Sequence, residues 1–153
     1  MVVMKREILI VEDLLYLQKS LIDWLVQVYP EFEILAADNA EDAIDTAKAN
    51  QPSLIIIDLN LPRSEGFDTV RRIKAAQPEI SILMIMDEDS DMHKDFAFSA
   101  GADACLSNYK MQMDLLPVIN ELLKKQSEID QKKARFKSIN YKEGKRDDEQ
   151  GNV

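Results

Sequence analysis

Two kinds of apolar pattern alternate along the chain. Short runs of mostly branched apolar side chains are typical of strands that are buried on both faces of a sheet. Between them, apolar residues recur at every third or fourth position, as on an amphipathic helix. The predicted strands are residues 8–11, 32–37, 54–58, 80–86 and 103–107.

A helix is predicted after each strand. The first spans residues 14–29, the second runs from an N-cap at Asn39 to about residue 50, and the third spans about residues 67–76. The fourth ends at Gly101, which suits a left-handed cap, and the fifth begins near Asp114. Residues 59–66 are predicted to form a loop. Strands and helices in alternation predict an α/β fold with a doubly wound, five-stranded parallel sheet.

Carboxylates are concentrated where two of the predicted strands end. Glu12 and Asp13 follow the first strand, and Asp58 ends the third. If these strands are neighbours, the three groups converge beyond the carboxyl edge of the sheet. Crowded carboxylates stay ionised only beside a cation, and Mg²⁺ prefers such oxygen ligands. A carboxylate beside that ion can also attack phosphorus, so the three acids can have different roles at such a site.

Three segments resemble a known family in order and spacing. They are Val11-Glu12-Asp13, then residues 58–62 (DLNLP) with Gly66, and then residues 100–103 (AGAD). Over residues 6 to about 123 the chain resembles the receiver domains of two-component response regulators, in the CheY-like superfamily. The resemblance implies the flavodoxin-like strand order 2-1-3-4-5.

The resemblance also implies a function and a set of site residues. Asp58 looks like the phosphoryl acceptor, and Glu12, Asp13, Asp58 and the backbone carbonyl of Asn60 look like the Mg²⁺ site. The implied protein is no enzyme. It is a single-domain response regulator in a phosphorelay, with a sensor histidine kinase or phosphotransfer protein as its donor and an unknown downstream protein as its target.

Four positions depart from the family pattern. Met86 and Asp87 stand where receivers place a Ser or Thr and a small residue, Asn108 stands at the lysine position, and Cys105 at the aromatic one. Lys110 would face the same side as Asn108 if the chain stayed extended there. These departures keep a second interpretation open, a degenerate receiver that is a phosphorylation-independent interaction module. A metal-dependent phosphohydrolase is a weaker third.

Charge and composition restrict the partners. Residues 1–123 carry 10 Lys and Arg against 22 Asp and Glu, a net −12, whereas residues 124–153 carry 9 against 6, a net +3. The acidic main part repels phosphate backbones, and about 30 following residues leave no room for a helix-turn-helix domain, so direct DNA binding is not expected. A single cysteine, the lack of a recognisable signal peptide and strand-length apolar runs predict a cytoplasmic protein without a membrane span.

The chain is expected to divide into three parts. Residues 1–123 form the receiver domain, residues 124–137 extend its last helix, and residues 138–153 form a disordered charged tail. Apolar residues keep a 3/4 spacing along the last helix, but Gln126 and Lys133 interrupt it. The helix extension is therefore either solvated or a short dimerising coiled coil, which would give a homodimer.

Overall fold

The computed structural model describes residues 5–58, 63–87 and 90–150, and within them omits the side chains of residues 63, 64, 109, 112 and 144–150. In these residues five strands alternate with five α-helices, and a 3₁₀ turn, Asn108–Lys110, precedes the last helix. The elements are β1 Arg6–Val11, α1 Leu15–Val28, β2 Phe32–Ala37, α2 Ala40–Asn50, β3 Leu54–Asp58, α3 Arg63–Ala76, β4 Ser81–Met86, α4 Asp91–Ala100, β5 Ala104–Ser107 and α5 Met111–Gln150.

The sheet is fully parallel and has the predicted order, β2-β1-β3-β4-β5. Every residue of β3 and β4 is buried, as their continuous apolar sequences require. Alternate side chains enter two separate cores. One core, under α2, α3 and α4, includes Leu9, Ile55 and Met84, and the other, under α1 and α5, includes Ile8, Ile56 and Leu83.

Two helix ends form as the sequence predicts. The Oδ1 atom of Asn39 accepts a hydrogen bond from the Asp42 amide at 2.9 Å, which caps α2. Gly101 closes α4 with φ 115°, in the left-handed region. A Cβ atom added there would lie 3.0 Å from Cγ of Lys74, so both backbone conformation and space favour glycine.

Two helices are longer than predicted. Helix α3 begins at Arg63, so Gly66 lies inside the helix and not in a loop. An acid in the first turn, Glu65, suits a helix N-terminus, and its carbonyl accepts a hydrogen bond from the Thr69 hydroxyl. Helix α5 runs to Gln150 because its Lys, Glu, Gln and Arg residues are good helix formers. The helix therefore passes the predicted end at residue 137 and replaces the disorder predicted for residues 138–150.

None of the helices in the described part of the chain combines the length and the apolar character that a membrane span requires. The division into a receiver domain and a helical extension stays a prediction.

A half-buried cation ties together the amino edge of the sheet. The Lys74 ammonium donates to Asp103 Oδ2 at 2.7 Å and to the Ile80 carbonyl. The side chain of Lys74 is only 16% exposed and that of Asp103 only 19%. Asp103 Oδ2 also accepts from the Ile82 amide at 2.8 Å. This network joins α3 to the beginnings of β4 and β5.

Replacing Lys74 with methionine should destabilise the fold, because the Asp103 carboxylate then loses its cation in a poorly solvated place. We expect the free energy of unfolding to fall by about 2–4 kcal/mol in urea titrations. Arg72→Met is the matched control: it removes the exposed ion pair between Arg72 and Glu41, and such pairs contribute little. An equal loss of unfolding free energy in the two variants would contradict the view that the Lys74–Asp103 pair matters because it is poorly solvated.

Candidate functional site

The parallel register brings two acids together at the carboxyl edge of the sheet. Val11 of β1 lies beside Ile57 of β3, so the next residues along these strands, Glu12 and Asp58, come beside each other. Both are buried: Glu12 is 2% exposed and Asp58 is 7% exposed. The sequence prediction that these two carboxylates converge is therefore confirmed.

The carboxyl group of Glu12 is in direct contact with the other acids. Its Oε1 atom accepts a hydrogen bond from the Leu14 amide at 3.0 Å, and the group also hydrogen-bonds with Asp58 and Asp13. Burial, followed by the hydrogen bond with Asp58, raises the pKa of Glu12 to about 8, and the Leu14 amide only partly opposes this. In the absence of a cation, Glu12 thus holds a proton near neutral pH.

Gln18 positions the loop that carries Glu12 and Asp13, and sequence analysis missed it. Its Nε2 donates to the Glu12 carbonyl at 3.1 Å and to Asp38 Oδ1 at 2.7 Å, and its side chain is buried. The loop is fixed on its other side by the Glu12 amide, which donates to the Ala37 carbonyl at 3.1 Å. One available signal was that the residues three and four positions from this glutamine on α1 are all apolar: Leu14, Leu15, Leu21 and Ile22.

The other expected metal ligands are Asp13 and Asn60. Asp13 is exposed at the start of the loop after β1 and touches the Glu12 carboxyl group. Asn60 and Pro62 lie outside the described residues. Among the residues that are described, no group of three or more His, Cys, Asp or Glu side chains is arranged to hold a metal ion.

The acids that are present nevertheless fit a small divalent cation. Glu12 and Asp58 are two buried carboxyl groups in contact, and the raised pKa of Glu12 expresses the cost of placing two negative charges there. Mg²⁺ commonly binds through one or two carboxylates and keeps several of its waters. A cation would remove the repulsion between the two groups, and Asp13 could add a third oxygen from the exposed side.

The ends of β4 and β5 form a second group of side chains beside the acids. Met86 ends β4 and lies beside Ser107 of β5 in the register. The next residue, Asp87, accepts a hydrogen bond from the Asn108 side chain, and Cys105 contacts the Met86 sulfur. Two departures from the family pattern, Asp87 and Asn108, are thus bonded to each other.

The condition under which Lys110 would face the same side as Asn108 is not met. The chain does not stay extended after β5, because residues 108–110 form a 3₁₀ turn. The two-residue spacing from Asn108 therefore does not place Lys110 on the same side of a strand.

Comparison with known proteins identifies the class that this fold and site define. The chain belongs to the family of response regulator receiver domains, whose family model matches residues 8–120. Receiver domains of two-component systems are generally not enzymes, they interact with sensor kinases or phosphotransfer proteins, and they generally bind Mg²⁺ at the phosphorylation site.

Individual relatives are distant. The chain is 27% identical over 103 residues to the alkaline phosphatase synthesis transcriptional regulatory protein PhoP of Bacillus subtilis, and the match covers 65% of this chain and 41% of that protein. It is 28% identical over 121 residues to the fimbriae Z protein of Escherichia coli K12, covering 78% of this chain and 58% of that protein. The chain therefore spans about half the length of these curated relatives.

One solved structure is matched over almost its whole length. The response regulator receiver domain protein (CheY-like) from Methanospirillum hungatei JF-1 is 26% identical, with a TM-score of 0.72 over 82% of this chain and 98% of that one. The flavodoxin-like receiver fold predicted from the sequence is thus confirmed.

The pKa of Glu12 gives the stability of the metal-free protein a pH dependence of definite sign. The folded state keeps a proton on Glu12 up to about pH 8, whereas the unfolded chain releases it above the ordinary pKa of 4.5. Because the folded state binds more protons in this window, the free energy of unfolding should fall as the pH rises through it. Urea titrations in EDTA at several pH values measure the slope.

Glu12→Gln should flatten that slope, since the titrating group is gone. Glu31→Gln, a change at an exposed position, is the matched control and should leave the slope as it is. A slope that Glu12→Gln does not alter would contradict the assignment of the pH dependence to this carboxyl group.

Proposed function

We propose that the protein is a single-domain response regulator in a phosphorelay, which accepts a phosphoryl group on Asp58 with Mg²⁺ and signals through protein–protein contacts. A sensor histidine kinase or a phosphotransfer protein supplies the group, and a downstream protein receives the signal. The observation that carries this proposal is the pair of buried carboxyl groups, Glu12 and Asp58, at the carboxyl edge of a receiver sheet.

The residues have different roles in this reaction. An oxygen of the Asp58 carboxylate forms the new bond to phosphorus while the bond from phosphorus to the donor breaks, which gives an acyl phosphate. Glu12 and Asp13, with Asp58 and the Asn60 carbonyl, would hold Mg²⁺. When bound, the ion screens the negative charges and stabilises the charge that develops on the phosphoryl oxygens. Gln18 and the Leu14 amide keep Glu12 oriented toward Asp58.

Intact-mass spectrometry with acetyl phosphate tests the assignment. We expect the wild type to gain the mass of one phosphoryl group in Mg²⁺ and none in EDTA, since the ion is needed to bring two anions together. Asp58→Asn should gain none in either buffer, while Asp23→Asn, on an exposed position of α1, should behave as the wild type. A phosphoryl group that still appears in Asp58→Asn would refute Asp58 as the acceptor.

A second candidate function rests on the bond between Asp87 and Asn108. In this alternative the protein is a degenerate receiver that works as a phosphorylation-independent interaction module. Met86 and Asn108 stand at the two positions where receivers carry the hydroxyl and the ammonium group that bind new phosphoryl oxygens, and Asn108 is already bonded to Asp87. The mass measurement separates the two functions, because only the first requires a modified Asp58.

Phosphorylation of Asp58 should be weakly coupled to conformational change, even if it occurs. Met86 donates no hydrogen bond, Asn108 carries no charge, and the Asp87 carboxylate repels a dianion. Loss of one charge-assisted and one neutral hydrogen bond removes about 2–4 kcal/mol of the preference for the active state. That amount is comparable to the few kcal/mol that separate two such states.

Amide NMR spectra with and without beryllofluoride, which imitates the phosphoryl group, measure this coupling. We expect shifts confined to the surroundings of Asp58. A matched variant, Met86→Thr/Asn108→Lys, restores both missing groups and should spread the shifts into β4, β5 and α5. Large wild-type shifts through these elements would contradict weak coupling.

A further inference from the structure

The two polar residues that interrupt the apolar spacing of α5 hold this helix against the domain. Gln126 Oε1 accepts a hydrogen bond from the Ser81 hydroxyl at 3.1 Å, and both side chains are buried. Lys133 forms a salt bridge with Glu79. Ser81 begins β4 and Glu79 lies two residues before it, so α5 is attached to its own domain as far as Lys133. The interruptions are therefore no defects in a coiled-coil seam.

Beyond Lys133 the helix extends into solvent with exposed apolar side chains. Residues 134–150 add about 25 Å of helix at 1.5 Å per residue. Phe136 is 66% exposed and Ile139 is 54% exposed. An isolated helix of this length is marginally stable in water, and most helices in proteins are stabilised by packing of an apolar face. We define distal α5 as residues 132–143, which are exposed and begin at the turn where Lys133 makes its contact with the domain. A partner surface would supply the packing that this segment lacks.

Distal α5 is basic on the side that carries its exposed apolar residues. Residues 132–143 contain 5 Lys and Arg against 1 Glu. Positions three, four and seven apart share one side of a helix. By that spacing a single face contains Lys132, Arg135, Phe136 and Ile139. A surface that complements this face must be acidic and must offer apolar contacts.

The domain itself excludes two classes of partner for a basic helix. Its residues 1–123 have a net charge of −12, so nucleic acids and anionic membranes are repelled by most of the molecule. An acidic protein surface remains, and the chain has one of the required kind on α4.

The outer face of α4 is both acidic and apolar. Asp91, Asp95 and Phe98 are four and three residues apart and share that face, and all three are exposed. Phe98 is 50% exposed and the adjacent Met92 is 61% exposed. Lys94, the cation of α4, is half-buried. This face therefore complements distal α5 in charge, and it offers apolar contacts to Phe136 and Ile139.

We propose that the chain forms a homodimer in which distal α5 of each protomer docks on α4 of the other. The arrangement is isologous, so one two-fold axis produces both contacts and the assembly closes at two copies. Lys132 and Arg135 face the Asp91 and Asp95 carboxylates of the second copy, and the exposed apolar residues of the two faces meet between them. This interface does not depend on phosphorylation of Asp58.

Sedimentation velocity on two charge-reversed variants tests the contact. We expect the wild type to dimerise, and to dissociate as NaCl is raised from about 50 mM to about 500 mM, because salt screens the charges. Lys132→Glu/Arg135→Glu and Asp91→Lys/Asp95→Lys should each weaken the dimer by at least about tenfold in Kd. An equimolar mixture of the two variants should dimerise again, since both reciprocal contacts then join opposite charges.

Lys124→Glu/Lys125→Glu is the matched control, because it makes the same change in net charge on exposed positions of α5 nearer the domain. It should dimerise as the wild type does. Circular dichroism melts establish that each variant is folded before it is sedimented. A monomeric wild type, an Asp91→Lys/Asp95→Lys variant that stays dimeric as in a helix-to-helix coiled coil, or folded variants that remain monomeric when mixed would each overturn the proposal.

Discussion

The repulsion between two buried carboxyl groups is the constraint around which this site is arranged. Both come from strands whose apolar residues are buried on two faces, so neither Glu12 nor Asp58 can move to solvent without shifting its strand. The Leu14 amide and Gln18 hold the loop in place, while the raised pKa of Glu12 shows what the arrangement costs. A cation or a proton must therefore accompany these two groups near neutral pH.

The strands, the helices and the position of acids at strand ends could be predicted because they follow from local patterns, whereas the strand order that brings the acids together was implied by the family resemblance. Continuous apolar runs identify buried strands, and the capping residues Asn39 and Gly101 act on their own neighbours. Hydrogen bonds across the fold leave no such pattern. Gln18 bonds to Asp38 and Gln126 to Ser81 over 20 and 45 residues, so only the structure reveals the partners of these polar side chains.

Two departures from the receiver pattern, Asp87 and Asn108, are partners in the structure. From the sequence, Asp87 adds repulsion and Asn108 lacks a charge. In the structure each supplies what the other needs, a donor for the carboxylate and an acceptor for the amide. The contact between Cys105 and Met86 makes a second connection between the same two strands. At the positions where receivers direct polar groups toward the phosphoryl acceptor, this chain therefore has contacts between the ends of β4 and β5.

Strand β4 cannot gain or lose a residue without disturbing both cores and the contacts at its two ends. Ser81 at its beginning is bonded to α5, and Met86 at its end lies next to Asp87 beside the acidic edge. Successive side chains of a strand point to opposite faces, so an insertion or deletion between these residues would exchange the two cores along part of the strand. It would also shift Ser81, to which α5 is bonded, relative to the acidic edge at the other end of the strand. The number of residues in this strand is therefore fixed.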